Sequence, residues 1–206
     1  QSLQLTKVTL KTQYFQAKPL RCSHRVALLT DLIEKGRQSN TDAWATLSYS
    51  TDLFFFTKRE GTDPNTTDVD LIDLQDIPLA MPNRKVNVRR NLETAMIKLN
   101  GQLNIRYEQQ SLLTIRSMVK AGIGATVLNW PSMSDLWFSG DIDARKIVNP
   151  RVSRVVCLAI PNSRPLSRAA AAVYDIVRKI LVGEVEQGNW RGGQIRSGTR
   201  GHFPDR

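Results

Sequence analysis

The second half of the chain alternates short apolar runs with helical repeats, and this alternation constrains the fold more than any other feature. One helical repeat starts at the candidate N-cap Asn87 and stops before Gly101. A second starts at Ser111 and stops at Gly122, and a third starts at Ser167. Such residues are ordinary helix boundaries. Strands separated by helices predict an α/β protein with a mostly parallel sheet. The predicted strands cover residues 103–107, 125–128 and 154–160.

The first half carries weaker signals. Residues 26–36 have helical spacing of apolar side chains and end in glycine, which predicts a helix. Two β-rich runs follow at Trp44–Tyr49 and Leu53–Phe56, and a short apolar strand, Ile77–Met81, lies between prolines. The tail 183–206 is rich in glycine and arginine, which predicts disorder.

Composition excludes several classes of protein. With 206 residues, of which 41% are hydrophobic, the chain suits one domain or two small lobes. It has no apolar run near the ~20 residues of a membrane span and no signal segment at its start, so we expect a cytoplasmic protein. The two cysteines and two histidines form no zinc motif. Catalytic motifs such as GxSxG and HExxH are absent, so we expect neither an enzyme, nor a metal, nor a cofactor.

The net charge of +10 is unevenly distributed. Residues 61–76 carry five aspartates and no basic residue, and the basic residues Arg84, Lys85, Arg89 and Arg90 follow directly. Such a balance permits binding of an anionic ligand or of nucleic acid. A solvated basic surface explains the charge equally well.

Two strand-to-helix junctions are candidate ligand sites, because backbone N–H groups and the helix dipole face a ligand there. The first junction contains Asn83 and Arg84, which suit a carboxylate, sulfate or phosphate. The second contains Gln110 and Ser111, whose amide and hydroxyl suit a small polar ligand. The alternative is an ordinary capped loop with solvated charges, and capping by Ser111 does not exclude ligand contact.

Two further patterns have structural explanations. Gly122 and Gly124 lie between a helix and a strand, where they are better explained as a helix C-cap and a strand start than as a phosphate loop. Asp141 and Asp143 flank a short strand and are most simply solvated.

Taken in order, a series of blocks resembles the effector-binding domain of LysR-type transcriptional regulators. Their order and spacing are more specific than any single block, and they cover about residues 53–182. The blocks are Leu71–Pro82, Arg89 and Arg90 with Leu92, Gln110–Ile115, Met118–Leu128, Gly140–Ile142, Pro150 with Arg154, and Arg164–Ala170.

The resemblance implies a fold like that of type II periplasmic binding proteins, with two Rossmann-like α/β lobes joined by two crossing strands. Ile77–Met81 and Val155–Ile160 are then the crossing strands. The first lobe is residues 1–81, of which 1–25 match the family poorly. The second lobe is residues 82–153, and residues 154–182 are a crossing strand and a helix that returns to the first lobe.

The resemblance also implies a site and partners. Strand-to-helix loops face the inter-lobe cleft in such folds. The effector-binding residues are then Asn83, Arg84, Gln110 and Ser111, with Ser50 and Thr51 from the first lobe and Asn129, which stands where the family usually has proline. The implied partners are a small anionic effector and further copies of the chain, in a dimer or tetramer. Promoter DNA would bind only through a helix-turn-helix domain that this chain lacks. The alternative is a solute-binding protein of a transport system, which shares the lobes.

Overall fold

The computed structural model describes residues 27–30, 43–61, 68–161 and 165–195. The strands are β1 (Ala27–Thr30), β2 (Ala43–Lys58), β3 (Val69–Asp70), β4 (Leu79–Pro82), β5 (Ile105–Gln109), β6 (Thr126–Asn129), β7 (Ile142–Val148), β8 (Ser153–Pro161) and β9 (Gly193–Ile195). The helices are α1 (Asn87–Lys98), α2 (Leu112–Ala121), α3 (Ser134–Phe138) and α4 (Arg168–Glu186), with 3₁₀ turns at Leu71–Leu74 and Trp130–Ser132. None of the helices in these ranges is long and apolar enough to cross a membrane.

Strand β2 runs through both parts of the fold. Its first part, Ala43–Asp52, pairs antiparallel with β8, and its second part pairs antiparallel with β6 and β7. The sequence predicted two separate runs here. One continuous strand forms instead, because the polar residues 50–52 also keep their ladder with β8.

The second part of β2 lies in the middle of a mixed sheet. Strands β5 and β4 pair in parallel, and β4 reaches β6 through a bridge from Leu79 to Ala125. Beyond β2 the order continues with β7 and then β3. Helices α1 and α2 bury Leu92 and Ile115 in the core of this sheet. The prediction that Ile77–Met81 is a crossing strand is therefore wrong: β4 pairs with β5 and Ala125, and β2 is the strand that extends from one part to the other.

Helix α4 covers the other part of β2. Ser167 caps it, with its Oγ accepting from the Ala170 N–H at 3.2 Å. Its Tyr174 and Leu181 pack into a cluster with Tyr49 of β2 and Val156 of β8. The sequence therefore predicted this helix and its cap correctly.

The prediction of a disordered tail is wrong for residues 183–195. Helix α4 continues to Glu186, and β9 pairs antiparallel with Tyr49–Thr51 of β2. Sequence composition misses this order because its partner strand lies more than 130 residues away in the chain. Residues 196–206 lie outside the described residues.

The prediction of a helix over 26–36 is also wrong for residues 27–30, the part of this range that the structure describes. Residues Ala27–Thr30 form β1, which pairs antiparallel with β8, and this tertiary pairing overrides a helical spacing of apolar residues. Residues 31–36 lie outside the described ones. Asn87 is the first residue of α1, and the cap position belongs to Val86.

Candidate functional site

The carboxyl ends of three strands meet at one edge of the mixed sheet. Strands β4 and β5 are parallel, with Pro82 opposite Gln109. Strand β6 runs the same way beside β4 and ends at Asn129, opposite Leu53 of β2. The loops after β4 and β5 are therefore neighbours, at the position where α/β sheets bind ligands.

The first loop is held by its own backbone. Asn83 is half-buried; its Oδ1 accepts from the Lys85 N–H and its carbonyl oxygen accepts from the Val86 N–H, both at 3.0 Å. The side chain of Arg84 is 76% exposed, and its Nε lies 3.4 Å from Glu93 Oε1. Asn83 thus shapes the turn into α1, whereas Arg84 stays accessible at the edge.

The second loop carries the predicted helix cap. Ser111 Oγ accepts from the Thr114 N–H at 3.4 Å, and Gly122 ends α2 with a left-handed φ of 76°. Both Gln110 and Ser111 are exposed. Because capping uses the hydroxyl oxygen only as an acceptor, the Ser111 hydroxyl can still donate to a ligand.

A buried arginine joins the two loops. The side chain of Arg89 is 6% exposed; it donates to the Pro82 carbonyl at 3.2 Å, to Glu108 Oε2 at 2.6 Å and to Glu93 Oε1 at 2.9 Å. It therefore ties α1 to the carboxyl ends of β4 and β5. Arg90, the next residue, is exposed. The basic stretch of the sequence thus contains one structural arginine and three exposed basic residues.

The middle of β2 carries a buried carboxylate with two cations. Asp52 is fully buried, and Arg151 Nε donates to its Oδ1 at 2.6 Å. Lys146 Nζ lies 3.0 Å from Oδ2 as an ion pair. The Lys146 and Arg151 side chains are 34% and 45% exposed, so a cluster of net charge +1 opens partly to solvent.

The other face of β2 carries buried hydroxyls beside a buried arginine. Thr51 is fully buried and lies opposite Arg154 of β8, which is 6% exposed. Among the described residues, neither Thr51 Oγ1 nor the Tyr49 hydroxyl has a hydrogen-bond partner. Burial raises the pKa of Tyr49 well above its usual range, and the positive charge of Arg154 opposes part of this shift. Ser50 between them is half-buried.

Asn129 is buried where β6 ends. Its Oδ1 accepts from the Ser132 hydroxyl at 2.9 Å, so its side chain stabilises the 3₁₀ turn after β6. Through the pairing of β6 with β2 it lies beside the middle of β2. A shallow cavity of about 420 Å³, lined by Arg59 and Trp137 among others, lies at the carboxyl end of β2, which ends at Lys58.

The C-terminal segment (Asn189–Ile195) completes this region. Trp190 packs edge-on against Tyr49, with ring centroids 4.6 Å apart, and the Gly192 carbonyl accepts from the Asp52 N–H at 3.0 Å. The guanidinium of Arg191 lies over the rings of Trp130 and Trp137, at 4.8 and 4.1 Å from their centroids. The predicted residues Ser50 and Thr51 therefore pair with a part of the chain that the sequence predicted to be disordered.

A family model described as the LysR substrate binding domain matches residues 48–181. The chain belongs to this family. The resemblance drawn from the blocks of sequence is thereby confirmed, and the match begins inside β2 and ends inside α4.

A curated relative of this LysR domain is the HTH-type transcriptional regulator BbuR of Bordetella bronchiseptica. The two are 29% identical over 122 residues, which are 58% of this chain and 37% of the relative. The chain therefore spans little more than a third of the length of that regulator.

Solved structures share the fold at low sequence identity. The effector-binding domain of QuiR in complex with shikimate has a TM-score of 0.56 and 14% identity, over 75% of this chain and 70% of that one. The regulatory domain of Synechocystis CcmR in complex with 2-PG has a TM-score of 0.57 and 14% identity, over 75% and 72%. The reduced OxyR regulatory domain of Pseudomonas aeruginosa has a TM-score of 0.53 and 21% identity, over 75% and 72%. The fold is thus the mixed α/β fold of LysR regulatory domains, which is like that of type II periplasmic binding proteins.

The LysR family is one of transcription regulators, not of enzymes, and this favours a regulatory domain over the solute-binding protein of a transport system. In the part of the chain that the structure describes, no group of three or more His, Cys, Asp or Glu side chains could hold a metal ion. What sequence reasoning missed in this LysR domain is Asp52 with its two cations, the joining role of Arg89, and the C-terminal segment. The spacing of Arg89 and Glu93 at i and i+4 was the one local signal.

Proposed function

We propose that this chain is the ligand-sensing domain of a bacterial LysR-type regulator and that it binds a small anionic metabolite at the edge where β4, β5 and β6 end. The observation that carries the proposal is that two strand-to-helix loops end at one edge of the sheet whose strand β2 carries a partly open cluster of positive charge. The proposed contacts are Asn83, Arg84, Gln110 and Ser111 from the loops, and Ser50, Thr51 and Asn129 from the strands.

The charge at this edge favours an anion. Arg84 and Lys85 are exposed on the loop that leads into α1, and the first turn of α1 contains no acidic residue. The positive end of the α1 dipole therefore adds to the two side chains. Lys146 and Arg151 exceed the charge of Asp52 by one unit. A carboxylate or phosphate placed here gains charge-assisted hydrogen bonds.

The mechanism follows from the two parts of the fold. A ligand held between the loops and β2 stabilises one angle between the lobes over others, and that choice biases how subunits pack. We propose a homodimer as the smallest assembly, in the cytoplasm. The effect reaches promoter DNA through a helix-turn-helix domain elsewhere in the full-length regulator.

The test is a ligand screen followed by calorimetry. Shikimate, 2-PG, inorganic phosphate and a series of small carboxylates are screened for a rise in the melting temperature. With the best of these, Arg84→Ala should weaken binding by about 10- to 150-fold, the value of one charge-assisted hydrogen bond. Arg90→Ala, an equal change of charge on the helix α1 that follows this loop, is the control and should leave binding within about twofold. Equal losses in both variants would show that Arg84 makes no direct contact. A screen in which no anion raises the melting temperature would contradict an anionic effector.

The proposal also limits DNA binding by this chain. Sequence-specific binding needs side chains placed against base edges in a groove. Helix α1 buries Val88, Leu92 and Met96, and its Arg89 is held by carboxylates. We expect weak, salt-sensitive binding with dissociation constants on the order of 10⁻⁴–10⁻⁶ M. An anisotropy titration that distinguishes promoter DNA from scrambled DNA at two salt concentrations would contradict this.

A further inference from the structure

The C-terminal segment lies along the edge of β2 at the candidate site as an added strand. Strand β9 places Gly193 opposite Thr51 and Gln194 opposite Ser50, on the edge of β2 away from β8. Two other contacts fix the start of the segment: the Trp130 Nε1–H donates to the Asn189 carbonyl at 3.0 Å, and Arg191 lies over two tryptophan rings. The segment therefore holds its place through both backbone and side chains.

Glycine is what lets the segment come so close to β2. Gly192 has φ +70°, and a Cβ there would lie 2.8 Å from Asp52 Cβ and 3.0 Å from Phe54 Cε2. A side chain at this position would thus push the segment away from the strand. Gly188, at the end of α4, has nearly the same backbone conformation with φ +73°, and a Cβ there would meet nothing within 4 Å.

The groups beside the segment are polar and incompletely bonded. Thr51 is fully buried and its Oγ1 has no hydrogen-bond partner among the described residues, and the same holds for the Tyr49 hydroxyl and the Trp190 indole N–H. Buried polar groups in native proteins are usually hydrogen-bonded. Two of these groups lie on β2 and the third lies on the segment itself. A polar molecule bound in this region would supply their missing hydrogen-bond partners.

We propose that Asn189–Ile195 is an intramolecular lid that closes the edge of β2 at the inner part of the effector site, and that a ligand reaches Thr51 only when this segment leaves that edge. The inference rests on the proposed function, since it assigns Thr51 to the same site. It adds a movable element contributed by the chain itself. Displacing the segment breaks its pairing with β2 and the Trp190–Tyr49 contact, so movement of the lid is coupled to the packing of α4.

The test measures access to Thr51 in the full chain without any ligand. Thr51→Cys is introduced in a Cys22→Ser background, where the remaining Cys157 is fully buried, and labelling by a maleimide is followed by peptide mass spectrometry. The lid is opened with Gly192→Ala, and Gly188→Ala is the matched control for the strain of alanine at positive φ. Thr57→Cys, on the same strand but distant from the segment, reports general loosening.

Gly192→Ala should raise the labelling rate of the cysteine at position 51 by about tenfold or more, because it shifts the local opening equilibrium. Gly188→Ala should change it by less than about twofold, and labelling at position 57 should change with neither. Because Thr51→Cys alters the site itself, a second measurement uses the chain with native Thr51. It follows hydrogen exchange at the Asp52 amide, which donates to the Gly192 carbonyl. This exchange should accelerate in Gly192→Ala and not in Gly188→Ala.

Unchanged protection of both position 51 and the Asp52 amide in Gly192→Ala would overturn the lid. So would equal acceleration at positions 51 and 57, since that is the response of a loosened domain. If the lid opens as expected but none of the screened anions binds, the lid stands and the proposed function fails, so the two failures are distinguishable.

Discussion

Replacing Arg89 with methionine is the sharpest test of how the candidate site is held together. The guanidinium is 6% exposed and donates to two carboxylates and to the Pro82 carbonyl. Methionine keeps much of the length and apolar contact of the arginine side chain but removes all three of these hydrogen bonds. Arg89→Met therefore isolates the polar role of this residue from its packing.

The expected cost follows from the exposure of each partner. Breaking a fully buried ion pair costs about 3–5 kcal/mol. Here the side chains of Glu93 and Glu108 are 24% and 54% exposed, so water can replace much of the hydrogen bonding that the two carboxylates lose with Arg89. The Pro82 carbonyl is buried and loses this donor. We expect a loss of about 2–3 kcal/mol in the free energy of unfolding, or about 4–12 °C in melting temperature for a chain of this size.

The measurement is urea unfolding at pH 7 of the native chain, Arg89→Met and Arg90→Met. Arg90 is exposed on the same helix turn, so the same substitution there should cost less than about 0.5 kcal/mol. A double-mutant cycle with Glu108→Gln should give a coupling of about 1 kcal/mol. If Arg89→Met and Arg90→Met are equally mild, the strand pairing of β4 and β5 alone positions the two loops, and the reasoning is refuted.

Three smaller predictions concern single contacts. Arg116 donates a hydrogen bond that lowers the pKa of Asp135. The stabilisation from this bond is therefore fully present above the ordinary carboxyl pKa of about 4 and is lost as the pH falls through the lowered pKa. Asp135→Asn should flatten this part of a urea-midpoint profile between pH 2 and 7. Gly101→Ala should cost less than about 1 kcal/mol in urea unfolding, because the Ile72 Cδ1 and Met96 Sδ that its Cβ would meet, at 2.7 and 2.9 Å, belong to the outer parts of flexible side chains that can move aside. Removal of the cap in Ser167→Ala should lower the free energy of unfolding by about 1 kcal/mol, measured in the same way.

The sequence predicts the elements whose signals lie within a few residues of each other. Ser111 and Gly122 begin and end α2 as expected, because a capping hydroxyl and a left-handed glycine act within their own helix turn. Residues 27–30 and 193–195 were misassigned for the opposite reason. Each forms a strand only against β8 or β2, and neither partner is visible in the local pattern.

The same limit applies to the site. The exposed polar residues of the two loops are readable from the sequence, since strand-to-helix junctions are local features. Asp52 is different: its burial depends on Lys146 and Arg151, which are more than 90 residues distant. Nor could the sequence establish the joining role of Arg89, because its one local signal is the spacing to Glu93 and its other carboxylate partner, Glu108, lies 19 residues away.

The middle of β2 joins the site to the rest of the fold. Over Tyr49–Thr51 the strand lies between β8 and β9, and over Phe54–Phe56 it lies between β6 and β7. All four side chains of Leu53–Phe56 are apolar and buried, whereas Thr51 and Asp52 are as deeply buried but polar. Buried polar groups cost folding energy unless they are paired. Asp52 is paired with Lys146 and Arg151, whereas Thr51 Oγ1 has no partner among the described residues. The proposed ligand would pair with Thr51 and with the cations that hold Asp52, at the point of β2 that both parts of the fold share, and this one strand could then carry the effect of binding to both.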